Sequence, residues 1–131
     1  MGELVKVEKE QTNLNFHIRS TLAKELKIDQ SLAHDGVCLT VVDIQGDVYI
    51  VTAVHETLQK SALSMWAVGR KINLERAMKI GDRLDGHLVQ GHVDQVGECV
   101  SVEDQGGSWL FNFQFSTEDQ NLIIEKGALC I

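Results

Sequence analysis

The stretch Ala33-His34-Asp35-Gly36-Val37-Cys38-Leu39-Thr40-Val41-Val42 sets an Asp-Gly step directly before an alternating run. Asp-Gly supplies the positive φ of a hairpin-type turn, and residues two apart on a strand point the same way. Cys38 and Thr40 are therefore expected on one strand face. Just beyond, from Val37 to Val54, two apolar runs flank Gln45-Gly46-Asp47, the pattern of a β-hairpin with a glycine turn. Upstream, Leu4-Val5-Lys6-Val7-Glu8 and Leu14-Asn15-Phe16-His17-Ile18 alternate as short strands joined by polar residues around Gln11-Thr12-Asn13. Downstream, Lys71-Ile72-Asn73-Leu74-Glu75 alternates again. Several short strands in succession predict a small barrel.

Two segments break the alternation. Leu22-Ala23-Lys24-Glu25-Leu26 reads as one helical turn, because Leu22 and Leu26 are four apart and share a face. From Thr57 to Trp66 the period predicts one short helix, with Leu58, Ala62, Met65 and Trp66 on its apolar face and Thr57 as N-cap.

Composition narrows the function classes. Of the 131 residues, 44% are hydrophobic and 24% charged, an ordinary globular balance that predicts a packed core. A formal charge of -7, from 12 basic and 19 acidic residues, offers no footprint for a phosphate backbone, so nucleic-acid binding is not expected. No run reaches the roughly 20 apolar residues of a membrane span, and the polar start Met1-Gly2-Glu3-Leu4 is unlike a signal peptide. The expectation is a cytoplasmic protein without membrane contact.

Cys38, Cys99 and Cys130 form no C-x-x-C pair and leave an odd thiol, which argues against zinc and disulfide frameworks alike. His87 and His92 are five apart rather than the four of a helical zinc pair, so no metal site is expected. Their neighbours Gly86 and Gly91 mark a linker in which backbone approaches backbone closely. Proline is absent, which leaves the turns to Gly, Asp and Asn.

The chain also echoes itself. Gly2-Glu3-Leu4-Val5-Lys6-Val7-Glu8 returns as Gly97-Glu98-Cys99-Val100-Ser101-Val102-Glu103, an offset of 95, and Ser20-Thr21 returns as Ser116-Thr117. A polar turn at Gln105-Gly106-Gly107-Ser108 and a strand from Trp109 to Phe115 follow in the same order. This predicts two copies of one barrel, residues 1–85 and 86–131. Before Gly97 lies a lead-in, Gly86 to Val96, with no counterpart before Gly2, so the first copy is expected to lack its opening strand. After Gly127-Ala128-Leu129-Cys130-Ile131 the second copy would need its own Asp-Gly turn and Cys/Thr strand, so it is expected to be incomplete.

Four motifs in order carry a resemblance: Ser31 to Val41, His55-Glu56-Thr57-Leu58, Val68-Gly69-Arg70-Lys71-Ile72-Asn73-Leu74-Glu75-Arg76-Ala77, and Gly86-His87-Leu88-Val89-Gln90-Gly91-His92. Together they resemble riboflavin synthase of the alpha-chain type over nearly the whole sequence. The resemblance implies an all-β protein of duplicated six-stranded antiparallel Greek-key barrels with short helices. It implies dismutation of two 6,7-dimethyl-8-ribityllumazine molecules to riboflavin and 5-amino-6-ribitylaminouracil by four-carbon transfer, without metal or cofactor. It further implies a homotrimer whose active sites lie between the first barrel of one subunit and the second barrel of the next.

Carried over by motif, Cys38, Ser31 and His92 are candidate catalytic residues, and Thr40, Val54, Glu56, Thr57, Gly91 and Lys126 candidate substrate-binding residues. Simpler readings stand beside these roles. Cys38 alone is a small apolar strand residue, Thr40 a β-branched one, Thr57 a helix cap and Lys126 a solvated charge. Non-catalytic lumazine carriers share the barrels but depart at the Glu-Thr-Leu and Gly-His segments that this chain retains. An inactive fragment or engineered piece of the synthase is the remaining alternative. Without the opening strand and the trimer helix, the 131 residues are expected to bind lumazine or riboflavin weakly and not to trimerise.

Overall fold

The computed structural model describes residues 1–117, 125, 127 and 129–131. Strands β1 (Gly2–Glu10) and β2 (Asn13–Arg19) form an antiparallel hairpin across the tight turn Gln11-Thr12. Three more strands, β3 (Ser31–His34), β4 (Val37–Gln45) and β5 (Val48–Ala53), follow as consecutive hairpins. The β3–β4 turn has φ of 46° at Asp35 and 87° at Gly36. Two positive values in succession give the mirror-image turn whose twist matches that of paired strands. The Asp-Gly step thus turns the chain as its sequence predicts.

Closure comes from the short strands β6 (Lys71–Ile72) and β7 (Leu74–Arg76), which only Asn73 separates. β6 pairs with β1 through Gly2↔Ile72, and β7 pairs with β3 through Leu32↔Arg76. The sheet order β6-β1-β2-β5-β4-β3-β7 therefore returns on itself. Counting β6 and β7 as halves of one stave gives a nearly closed six-stranded antiparallel barrel. Because β2 neighbours β5 rather than β3, the path is a Greek key.

Alternation fills the interior. Leu4, Phe16, Ile18, Leu32, Leu39, Val41, Tyr49, Val51 and Ala53 are buried in one cluster. Irregular segments supply Ala23, Leu26, Leu63 and Trp66 to the same cluster. Ala23 lies on a 3-10 turn, Thr21–Glu25, where the sequence predicts one helical turn.

The helix expected from Thr57 to Trp66 is instead two pieces, α1 (His55–Lys60) and a 3-10 turn, Ala62–Met65. Ser61 separates them. Its Oγ donates to the Thr57 carbonyl at 2.5 Å and accepts from the Leu63 N–H at 3.4 Å, a local alternative to helical pairing. Val54, without a side-chain bond, holds the N-cap position, so Thr57 lies inside the helix rather than capping it. Met65 is exposed, not part of the buried face.

A second, two-stranded sheet joins β8 (Glu98–Asp104) to β9 (Trp109–Gln114). Its pairing runs from Glu98↔Gln114 to Asp104↔Trp109, and that of β1 with β2 includes the run from Glu3↔Arg19 to Lys9↔Leu14. Glu3 to Glu98 and Arg19 to Gln114 are both steps of 95, and each hairpin shifts register at the same point, Leu4/Lys6 and Cys99/Ser101. Trp109 and Phe111, 95 residues after Leu14 and Phe16 of the barrel wall, are exposed.

Candidate functional site

Burial along β4 alternates, with Val37, Leu39 and Val41 inward and Cys38 and Thr40 outward. Ser31 pairs directly with Thr40 across the β3–β4 ladder, and their hydroxyls lie 3.5 Å apart. Ser31, Cys38 and Thr40 therefore share one outer face of the barrel. A thiol and two hydroxyls there can donate and accept hydrogen bonds.

The turn that launches this face is held from two sides. On one, the Asp35 N–H donates to the Asn73 carbonyl at 2.9 Å and the Asn73 N–H returns to Asp35 Oδ1 at 2.7 Å. Arg70 donates to Asp35 Oδ2 from Nε at 3.3 Å and from Nη2 at 3.0 Å. The same guanidinium lies 5.6 Å from the centre of the Trp66 ring, and Trp66 meets Phe16 edge-on at 5.3 Å. A continuous path of contacts thus leads from the core through Phe16, Trp66, Arg70 and Asp35 to the start of β4.

On the other side, the Cys38 N–H donates to the Gly91 carbonyl at 2.8 Å. Burial alternates along the linker there, with Gly91, Val93 and Gln95 half-buried and His92 and Asp94 exposed. Val93 packs against the barrel core. Of the candidate residues, Gly91 is thus brought to Cys38, whereas His92 is exposed one step along. The close backbone approach expected at Gly91 is present.

Val54, Glu56 and Thr57 stand at the start of α1. The antiparallel pairing Val41↔Val51 leads the end of β5, and so Val54, toward the Cys38 end of β4. Val54 and Glu56 are exposed and Thr57 half-buried. Glu56 bonds Lys60 at 2.8 Å, and that ammonium holds its carboxyl below the usual carboxylate range. Among the described residues no hydrogen bond or ion pair ties these three to Ser31, Cys38 or Thr40. Lys126 lies outside the described residues.

Sequence reasoning missed the partners that hold the turn. Arg70 and Asn73 lie in the motif from Val68 to Ala77 with no local pattern that names Asp35 as their partner, and the Asp-Gly step by itself predicts only a turn. It also missed His34 and Tyr49, which meet inside the barrel with Nε2 and the phenol oxygen 2.9 Å apart. Burial pushes the His34 pKa down to about 4, although the carbonyls of Leu32 and Val37 and the charge of Asp35 oppose this. His34 Nδ1 is buried without a hydrogen-bond partner.

A shallow depression of about 350 Å³ is lined by Val96, Gly97, Glu98, Gln114, Phe115 and Ser116, and includes none of the Cys38 face. Among the described residues no group of three or more His, Cys, Asp or Glu side chains is placed to hold a metal ion. No helix among them is long and apolar enough to cross a membrane.

Residues 1–77 match the family model of the lumazine binding domain. Riboflavin synthase of Saccharomyces cerevisiae is 38% identical over 112 residues, covering 85% of this chain and 47% of that protein. Riboflavin synthase of Brucella abortus is 39% identical over 111 residues, covering 81% and 55% respectively. The chain spans about half the length of these curated relatives. Among solved structures, LumP complexed with 6,7-dimethyl-8-(1'-D-ribityl) lumazine superposes with a TM-score of 0.78 at 19% identity, covering 89% of this chain and 66% of that one. LumP complexed with riboflavin gives 0.77 at 19%, covering 89% of this chain and 64% of that one. At such identity the likeness speaks for the fold, and the fold is the same barrel. The family match covers the whole ring of strands from Gly2 to Arg76, and the chain belongs to the lumazine-binding domain family.

Proposed function

We propose that the chain is riboflavin synthase polypeptide, acting on two molecules of 6,7-dimethyl-8-ribityllumazine to give riboflavin and 5-amino-6-ribitylaminouracil. The observation that carries this is the 38–39% identity to riboflavin synthases over more than four-fifths of the chain. The outer face of Ser31, Cys38 and Thr40 supports it, because these groups suit the reaction. Protons of the lumazine ring-7 methyl are acidic, since the carbanion delocalises into the heterocycle, so positioning and proton transfer are the main demands. Thr40 and Ser31 hold the polar edge of the ligand, and Cys38 borders the reacting carbons. Val54, Glu56, Thr57 and Gly91 complete the rim. No metal or cofactor enters this scheme.

His92 is exposed, and in this reading it serves a ligand shared with a second unit. In the proposed assembly residues 1–85 and 86–131 belong to two copies of one barrel. The equal registers of β1–β2 and β8–β9 support that division. Each site then forms between the first unit of one subunit and the second unit of a neighbour in a homotrimer, where Lys126 contributes from the second unit. The enzyme acts in the cytoplasm, consistent with its small polar substrate.

The test is turnover by the whole protein. Cys38→Ala is expected to lower the rate of riboflavin formation by about tenfold or more, equivalent to about 1.4 kcal/mol, with the folded fraction unchanged. An unchanged rate would remove Cys38 from the chemistry. A non-catalytic lumazine or flavin carrier is the second reading the fold allows, and binding without turnover in the whole protein would establish it instead.

A further inference from the structure

We propose that Gly91 is a positioning residue, which seats the linker as a strap across the Cys38 edge of the ligand face and so fixes both the Cys38 thiol and the outward aim of His92. The inference rests on the functional reading above for its ligand, but its geometry is independent of it. Gly91 has a φ of 73°, a conformation that side chains rarely adopt. A Cβ there would lie 2.9 Å from the Gly36 carbonyl oxygen, 3.0 Å from Cys38 Cβ and 3.0 Å from Cys38 N. Two of those three atoms are backbone of the turn and strand, which the bonds of Asp35 to Asn73 and Arg70 hold in place. Neither is the far end of a flexible side chain, so a side chain at Gly91 is expected to lift the strap.

The strap has two anchors. One is the hydrogen bond from the Cys38 N–H to the Gly91 carbonyl at 2.8 Å, and the other is Val93 against the core. Alternation between them turns His92 outward. Gly86, in the same linker, has no atom within 4 Å of an added Cβ and no positive φ, and provides an unconstrained control.

The experiment compares the wild-type chain with Gly91→Ala, Val93→Ala and Gly86→Ala. Amide exchange at Cys38, alkylation of the Cys38 thiol by iodoacetamide read by mass spectrometry, and titration with 6,7-dimethyl-8-ribityllumazine are measured on each. Gly91→Ala should speed exchange at Cys38 and its alkylation by about tenfold, while leaving Leu39 protected and the melting temperature within a few degrees. Its lumazine affinity should fall by about tenfold. Val93→Ala should shift all three readouts in the same direction, and Gly86→Ala none. Unchanged Cys38 exchange and alkylation in Gly91→Ala would overturn the strap. Freed Cys38 with unchanged lumazine affinity would overturn the positioning role. If the wild-type chain bound no lumazine, the functional reading would fall, and exchange and alkylation would still decide whether Gly91 positions Cys38.

Discussion

Phe16→Ala is expected to destabilise the barrel by about 3–5 kcal/mol, the range for truncating a buried aromatic side chain. Phe16 is fully buried on β2, where it pairs with Val7 on one side and Val51 on the other, so it sits at the middle of the wall. It also meets Trp66 edge-on at 5.3 Å. Removing the ring leaves a cavity between the strands and the segment that follows α1, and the wall cannot close over it without moving a paired strand. The loss should extend to the Arg70 and Asp35 contacts, because Trp66 stands between them and the core. Urea unfolding followed by tryptophan fluorescence would check this. A loss below about 1 kcal/mol would show that Phe16 is not a centre of the core.

The second large effect is one of pH. Burial holds the His34 pKa at about 4, against 6.5 when the ring is free in water. The unfolded chain therefore takes up this proton first as pH falls. The contribution of the neutral ring to stability is complete above pH 6.5 and declines as pH drops toward 4. Integrated over that window the loss is about 3 kcal/mol. Inside the barrel a charged imidazole would have Nε2 on the Tyr49 hydroxyl, and the carbonyls of Leu32 and Val37 offset only part of the cost of burying it. Stability measured at pH 7 and at pH 4.5 should differ much more in the wild type than in His34→Phe. Equal differences in the two proteins would show that His34 is not the titrating group.

Much of the barrel was legible because its determinants are local. Asp35-Gly36 and Gly46 mark turns by their φ requirements, and alternation in β1, β2 and β4 assigns their inner faces. Closure by β6 and β7 was less legible, since an alternating run does not name its partners and Asn73 divides it between β1 and β3. The single helix expected from Thr57 to Trp66 divides at Ser61 for a physical reason. The apolar spacing of Leu58 and Ala62 is helical, but a hydroxyl that bonds the Thr57 carbonyl and the Leu63 N–H stops the helix between them.

The candidate face divides in the same way. That Cys38 and Thr40 point together follows from strand periodicity alone, and Ser31 joins them through the two-residue turn. The grip of Asn73 and Arg70 on Asp35 could not be read, because it depends on a contact 35 or more residues away in the chain. His34 has no pattern in the sequence that marks it as buried. Its burial against Tyr49 follows only from the barrel's curvature and register.

The most direct measurement is a titration of the labelled chain with 6,7-dimethyl-8-ribityllumazine, followed by amide chemical shifts in NMR. The proposed ligand face predicts saturable, weak binding with a dissociation constant of about 10 μM to 1 mM. It also predicts the largest shifts at Ser31, Cys38, Thr40 and Gly91. Absence of saturable shifts, or shifts confined to β8 and β9, would contradict it.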